Sequence, residues 1–269
     1  WLNNYIFPLE QEFVSEEFVR IGTKLACWEM IRGGTTTFVD MYFYPEVIAE
    51  VASSCGLRAL VSSTVSDNET PNAMNADDAL LNGQDFIERW KNKNSLITPI
   101  LGPHAIYSVN LQQLQNTRKI ANETNTPISI HLSESQFETQ YSLTNYGMTS
   151  IKALESINFF DGLTIAAHVV WPTDEEIPIL ANNKVGVVHN PTSNMKLSSG
   201  IAPISKMLEA GVLIGIGTDG AASNNDLDMW EEMRLAALLQ KVSTMNPEAL
   251  PAIEVLKMAT VNGAKIIGM

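Results

Sequence analysis

Four histidines and one aspartate stand at the carboxyl ends of short apolar runs. His104 closes LITPILGPH, His131 closes PISIH, His168 closes LTIAAH, His189 closes VGVVH, and Asp219 closes VLIGIGTD. Imidazoles and a carboxylate delivered by neighbouring strand ends are the donors a divalent metal takes. Glu134 follows His131 in an H-x-x-E pair (HLSE). A glutamate there can share a substrate with a metal held by His131 and carry a proton for it. Alone, the pair is equally compatible with a histidine bonded to a carbonyl and a solvated glutamate. Asp219 lies in GTDGAASNN between Gly217 and Gly220, which permit unusual backbone shapes. A carboxylate at the end of so apolar a strand must be paired or bound to a metal. Capping of a helix beginning near Asp226 can fall to Ser223, Asn224 or Asn225 instead. His168 could bind a metal or bond to its water. His104 follows Gly102-Pro103, read here as a turn projecting the ring from a rigid base. His189 precedes Asn190-Pro191 in a loop of turn formers and reads as structural or supporting.

Apolar runs bounded by turn residues predict seven strands, over 36–41, 57–64, 96–102, 127–132, 163–168, 185–189 and 212–218. Helical spacing is predicted over 16–31, 45–54, 79–93, 111–122, 149–157, 174–182 and 204–210. Strand and helix therefore alternate, and the crossovers imply parallel pairing. A doubly wound sheet would gather its ligands at one switch point, whereas here five strand ends carry candidates. The expectation is an α/β fold, a (β/α)8 barrel of the metal-dependent hydrolase type, filling residues 1–269 as one catalytic barrel. Such a barrel needs an eighth strand, expected upstream of Trp1 together with a small flanking β domain.

The formal charge of −13 repels polyanions, so nucleic acid and anionic membrane surfaces are poor partners and a small molecule fits better. No run of eighteen apolar residues exists. Cys27 and Cys55 lie in separate helical segments and read as buried thiols of a reducing, cytoplasmic compartment. The apolar stripe in 229–239 (MWEEMRLAALL) reads as core, with a subunit contact and hence a homo-oligomer as the alternative.

The texts WLNNYIFPLE, GGTTTFVDMYF, LGPHAIYS, ISIHLSE, IAAHV, VVHNPTSNMKLSSGIAP and GTDGAASNNDLDMWEEMRLAALLQK make the chain similar to the amidohydrolase superfamily. Within it, the chain closely resembles the 5′-methylthioadenosine/S-adenosylhomocysteine deaminases. The resemblance implies one Zn²⁺ held by His131 and Asp219 together with two histidines of an H-x-H strand absent from these 269 residues. It implies that Glu134 shuttles protons, that His168 orients the attacking hydroxide, and that Glu10 and His104 hold a purine nucleoside. Glu134 and Asp219 would also contact that substrate. A second metal is not implied, because LITPILGPH lacks the bridging lysine of binuclear relatives. The implied reaction is deamination to an inosine product and ammonia, with the chain as written expected to be inactive. Guanine, pterin or triazine aminohydrolysis, or a non-catalytic nucleoside-binding barrel, are the alternatives. Residues 59–88 contain no Arg or Lys, so neutral 5′ groups are expected to be preferred over the carboxylate tail of S-adenosylhomocysteine.

Overall fold

The computed structural model describes residues 2–269, and Trp1 lies outside them. Contacts divide the chain into two compact units, Trp1–His104 with Ser108–Thr126, and Ala105–Tyr107 with Pro127–Met269.

The first unit carries helices α1 (Phe7–Phe13), α2 (Glu16–Gly33), α3 (Pro45–Cys55), α4 (Ala76–Trp90) and α5 (Leu111–Thr124). Its strands are β1 (Thr37–Tyr42), β2 (Arg58–Val65) and β3 (Ile97–Pro103). The strands pair in parallel and in chain order. Local chemistry sets the helix starts. Ser15 Oγ accepts from Phe18 N at the start of α2, and Asn75 Oδ1 accepts from Asp78 N to start α4 three residues before the predicted position. Val19, Val47, Ile48, Phe86, Trp90 and Ile97 pack into the apolar cluster that covers one side of the strands. The Gly102-Pro103 turn expected before His104 is a correction. Both residues belong to β3, paired with Thr64 and Val65. A Cβ on Gly102 would lie 2.9 Å from Ser62 Cβ, so the glycine is there for close approach of the strands. Ser62 and Thr64 are buried and donate to the β1 carbonyls of Asp40 and Tyr42.

The second unit holds β4 (Ile128–Leu132), β5 (Thr164–His168), β6 (Gly186–His189) and β7 (Leu213–Ile216), again parallel and in chain order. Ile130, Ile165, Val187 and Ile214, one from each strand, are fully buried. Between and after them come α6 (Gln136–Tyr146), α7 (Ser150–Ser156), α8 (Ile177–Asn182), α9 (Pro191–Lys196), α10 (Ile204–Glu209), α11 (Met229–Thr244), α12 (Ala252–Lys257) and α13 (Gly263–Ile266). In α11 the expectation of an apolar inward stripe needs correction. The buried positions are Glu232, Ala236 and Gln240, while Trp230 and Leu238 are exposed. Polar residues face inward because they bind neighbouring backbone: Gln240 accepts from Ser205 N at the start of α10 and donates to Ala202 O before it. Among the described residues no helix is long and apolar enough to cross a membrane.

Candidate functional site

The strand ends of the second unit are held in unusual backbone conformations. Ser133 (φ 51°), His168 (φ 74°), Val169 (φ 46°) and Asp219 (φ 61°) all adopt positive φ without being glycine. Such conformations are costly, most of all for β-branched Val169, and persist only where the surroundings enforce them. The unusual shape at the end of β7 thus falls on Asp219 itself. Gly217 serves close packing instead, since a Cβ there would meet Asn190 Oδ1 at 2.7 Å. Asp219 is not a helix cap, a role taken by Asp228 at the start of α11.

These ends bring four of the predicted residues together. His168 Nε2 stands 4.0 Å from Glu134 Oε2 and 4.0 Å from Asp219 Oδ2. The His131 and His168 rings stack with centroids 5.5 Å apart. Burial alone would raise the Asp219 pKa, but His168, His131, the Ser193 hydroxyl and the Gly220 N–H outweigh it and hold the carboxyl below its ordinary value. Asp219 is therefore an ionised carboxylate beside two imidazoles at neutral pH.

A second set of side chains, unnoticed in the sequence, fixes the first. His168 Nδ1 donates to Asn194 Oδ1 at 2.9 Å, which turns Nε2 toward the carboxylates. Ser193 Oγ donates to Asp219 Oδ2 at 2.6 Å. Glu138, fully buried on α6, accepts from Ser133 N at 2.7 Å and Glu134 N at 3.0 Å. Glu232 accepts from Thr192 N at 3.1 Å and from Asn224 Nδ2 at 2.8 Å, tying the start of α9 to the loop after β7. Asn224 Nδ2 also donates to Thr218 O, beside Asp219. Tyr107 lies near Glu134 and Glu138, and burial with those two carboxylates raises its pKa. Ser193 and Asn194 lie in the text HNPTSN and Glu232 in DMWEEM, but the sequence gives none of the three a role, and Glu138 has no signal at all.

Not every candidate joins the group. His189, at the end of β6, is fully buried, and neither ring nitrogen has a partner in the structure. Burial, with a smaller contribution from His168, lowers its pKa to about 3. Glu10 and His104 belong to the first unit. Glu10 Oε1 accepts from Tyr42 OH at 2.8 Å, and its pKa is raised by burial in spite of that bond. His104 Nδ1 lies 2.7 Å from Ser108 Oγ.

His131 offers an imidazole nitrogen and Asp219 an ionised carboxylate, donor types that zinc accepts. Among the described residues no group of three or more His, Cys, Asp or Glu is arranged to hold an ion, so this pair fits as part of a ligand set.

The chain matches the Amidohydrolase family over residues 2–269. It is 46% identical over 269 residues to a 5-methylthioadenosine/S-adenosylhomocysteine deaminase of Thermodesulfovibrio yellowstonii, covering 100% of this chain and 61% of that protein. It is 44% identical over 268 residues to a 5′-deoxyadenosine deaminase of Methanococcoides burtonii, covering 99% of this chain and 61% of that one. The chain thus spans about 61% of the length of these relatives. Among solved structures, an adenosine deaminase from Xanthomonas campestris with bound zinc superposes with a TM-score of 0.96 at 38% identity, over 100% of this chain and 61% of that one. The fold class read from the sequence, part of a (β/α)8 barrel, is borne out.

Proposed function

This chain belongs to the amidohydrolase family, and from that premise we propose that the full-length protein hydrolytically deaminates an adenosine-type nucleoside to its inosine product and ammonia. The observation that carries the reading is the convergence of His168 Nε2 with Glu134 and Asp219, each 4.0 Å away. An acid, a base and an imidazole in one place are what replacement of a ring amine by water requires. The relatives named for 5′-methylthioadenosine, S-adenosylhomocysteine and 5′-deoxyadenosine support the choice of purine.

His131 and Asp219 would hold a zinc ion, which when bound supplies Lewis acidity and makes water acidic enough to attack near neutral pH. Glu134 gives a proton to the purine N1, which makes C6 electrophilic. As water adds to C6, Asp219 takes a proton from it and passes that proton to the amine. The C6–N bond then breaks and ammonia leaves, the C6 hydroxyl returns its proton to Glu134, and the ring keeps the oxygen as a carbonyl with N1 protonated. His168, anchored by Asn194, bonds to the oxygen while charge develops at C6. Glu10 and His104 hold the nucleoside, and residues 1–269 form part of the catalytic barrel of the protein.

Neutral 5′ groups are preferred. No Arg or Lys lies in residues 59–88, and the Ser62 and Thr64 hydroxyls donate to carbonyls of β1. A carboxylate tail desolvated without a cation costs about 3 kcal/mol or more, roughly 100-fold in kcat/KM. The test is ammonia release by the full-length protein from 5′-methylthioadenosine, adenosine, S-adenosylhomocysteine and guanine. Turnover of the first two, well above the third, is expected. Release from guanine alone would overturn the purine assignment, and a preference for S-adenosylhomocysteine would overturn the reading of the 5′ end.

A further inference from the structure

Glu134 can move a proton between fixed atoms only if its main chain is fixed, and the segment that carries it leaves β4 through a left-handed, non-glycine residue, Ser133 at φ 51°. The Ser133 carbonyl accepts from Val170 N and Trp171 N, while the two N–H groups of the turn are both held by a single side chain. Glu138 lies one helical turn beyond Glu134, in the first turn of α6, and none of it is exposed to solvent. Its two oxygens serve different donors, Oε1 accepting from Ser133 N at 2.7 Å and Oε2 from Glu134 N at 3.0 Å. A buried carboxylate is expensive unless its lone pairs are taken up, and here they are taken up by the backbone of the turn.

We propose that Glu138 is a positioning residue, a buried two-oxygen clamp that fixes the Ser133–Glu134 turn and so aims the Glu134 carboxyl at the reacting nucleoside. The proposal rests on the reading of Glu134 as the proton carrier. The demand for two acceptors is what makes it specific. Glutamine has the shape of glutamate but one acceptor oxygen, so it must turn an NH₂ toward one of two backbone N–H groups that themselves can only donate.

Glu176 supplies an internal control. It too is buried (1% exposed) and spends its oxygens on two donors, Thr173 N at 2.8 Å and the Thr149 hydroxyl, but neither donor belongs to the turn that carries Glu134. A loss of activity arising only from a disturbed buried carboxylate would appear at both positions.

The experiment compares Glu138→Gln with Glu176→Gln in the full-length protein. It uses steady-state deamination of 5′-methylthioadenosine, thermal unfolding, and hydrogen exchange of the peptide that spans 132–135. For Glu138→Gln the clamp predicts a kcat about 100-fold lower, the loss expected of a displacement on the order of 1 Å, with KM unchanged. Faster exchange should be confined to the turn. Glu176→Gln should keep its kcat even where its melting temperature falls as far. Wild-type kcat in Glu138→Gln would overturn the proposal, as would equal losses of kcat in the two variants. If the wild-type protein releases no ammonia from the nucleoside, the proposed reaction falls, and the clamp is then judged by exchange alone. Unchanged exchange at the turn in Glu138→Gln overturns it.

Discussion

The ends of β5 and β6 are neighbours in one sheet and both close on histidine, yet the two rings have opposite surroundings. His168 donates to Asn194 with one nitrogen and turns the other to Glu134 and Asp219. His189 is sealed in, bonded at neither nitrogen in the structure, with its pKa pushed down to about 3 by burial. A histidine at the carboxyl end of a parallel strand is therefore not functional by position. What separates the two is the backbone beneath them: His168 is at φ 74°, a conformation that costs energy, while His189 is among none of the positive-φ residues.

The widest expected separation is kinetic. His168→Gln should lower kcat of the full-length protein by on the order of 10²–10³, the range for a preorganised group facing developing charge. His189→Leu, of similar size and with nothing to desolvate, should leave kcat near wild type. A large kcat loss in His189→Leu and none in His168→Gln would reverse the comparison.

A smaller effect belongs to the anchor. Asn194→Leu removes the oxygen that accepts from His168 Nδ1 and should lower kcat about tenfold, corresponding to one buried hydrogen bond of roughly 1–1.5 kcal/mol. The loss should vanish in a His168→Gln background, where there is no imidazole left to orient. Additive losses would mean that Asn194 acts elsewhere.

The smallest effect is visible only in acid. Unfolded, His189 takes up a proton below about pH 6.5; folded, it does so only near pH 3. The unfolded state then binds more protons, so the stability this residue contributes is complete above pH 6.5 and is lost as pH falls toward 3. The slope is about 1.4 kcal/mol per pH unit. Between pH 7 and pH 5, His189→Leu should lose about 2 kcal/mol less stability than wild type in urea unfolding. Equal losses would show that the ring is protonated in the native protein.

Much of this was readable beforehand because burial and sequence pattern agree where the interior is apolar. All seven predicted strands are present, within two residues at either end. The errors fall where polar residues face inward. Helix α6 was not predicted, and its buried positions are Glu138 and Ser142, which leave no hydrophobic period to detect. The inward residues of α11 include Glu232 and Gln240, indistinguishable in sequence from a solvated face. Convergence of His131, Glu134, His168 and Asp219 was legible, since each follows an apolar run. Their supports Asn194, Ser193, Glu138 and Glu232 were not, because a polar side chain that bonds to a distant strand end or to a nearby turn leaves no hydrophobic periodicity. Gly102-Pro103 was misread for a related reason: its composition signals a turn, while the glycine in fact admits Ser62 of the adjoining strand.

The central claim is that Glu134 carries the proton in a hydrolytic deamination. It is tested most directly by Glu134→Gln in the full-length protein, with ammonia release from 5′-methylthioadenosine and bound zinc measured on one preparation. The amide keeps the shape and cannot cycle a proton, so kcat should fall by about 10²–10⁴ with zinc content unchanged. A Glu134→Gln protein that retains zinc and turns over at the wild-type rate would contradict the account.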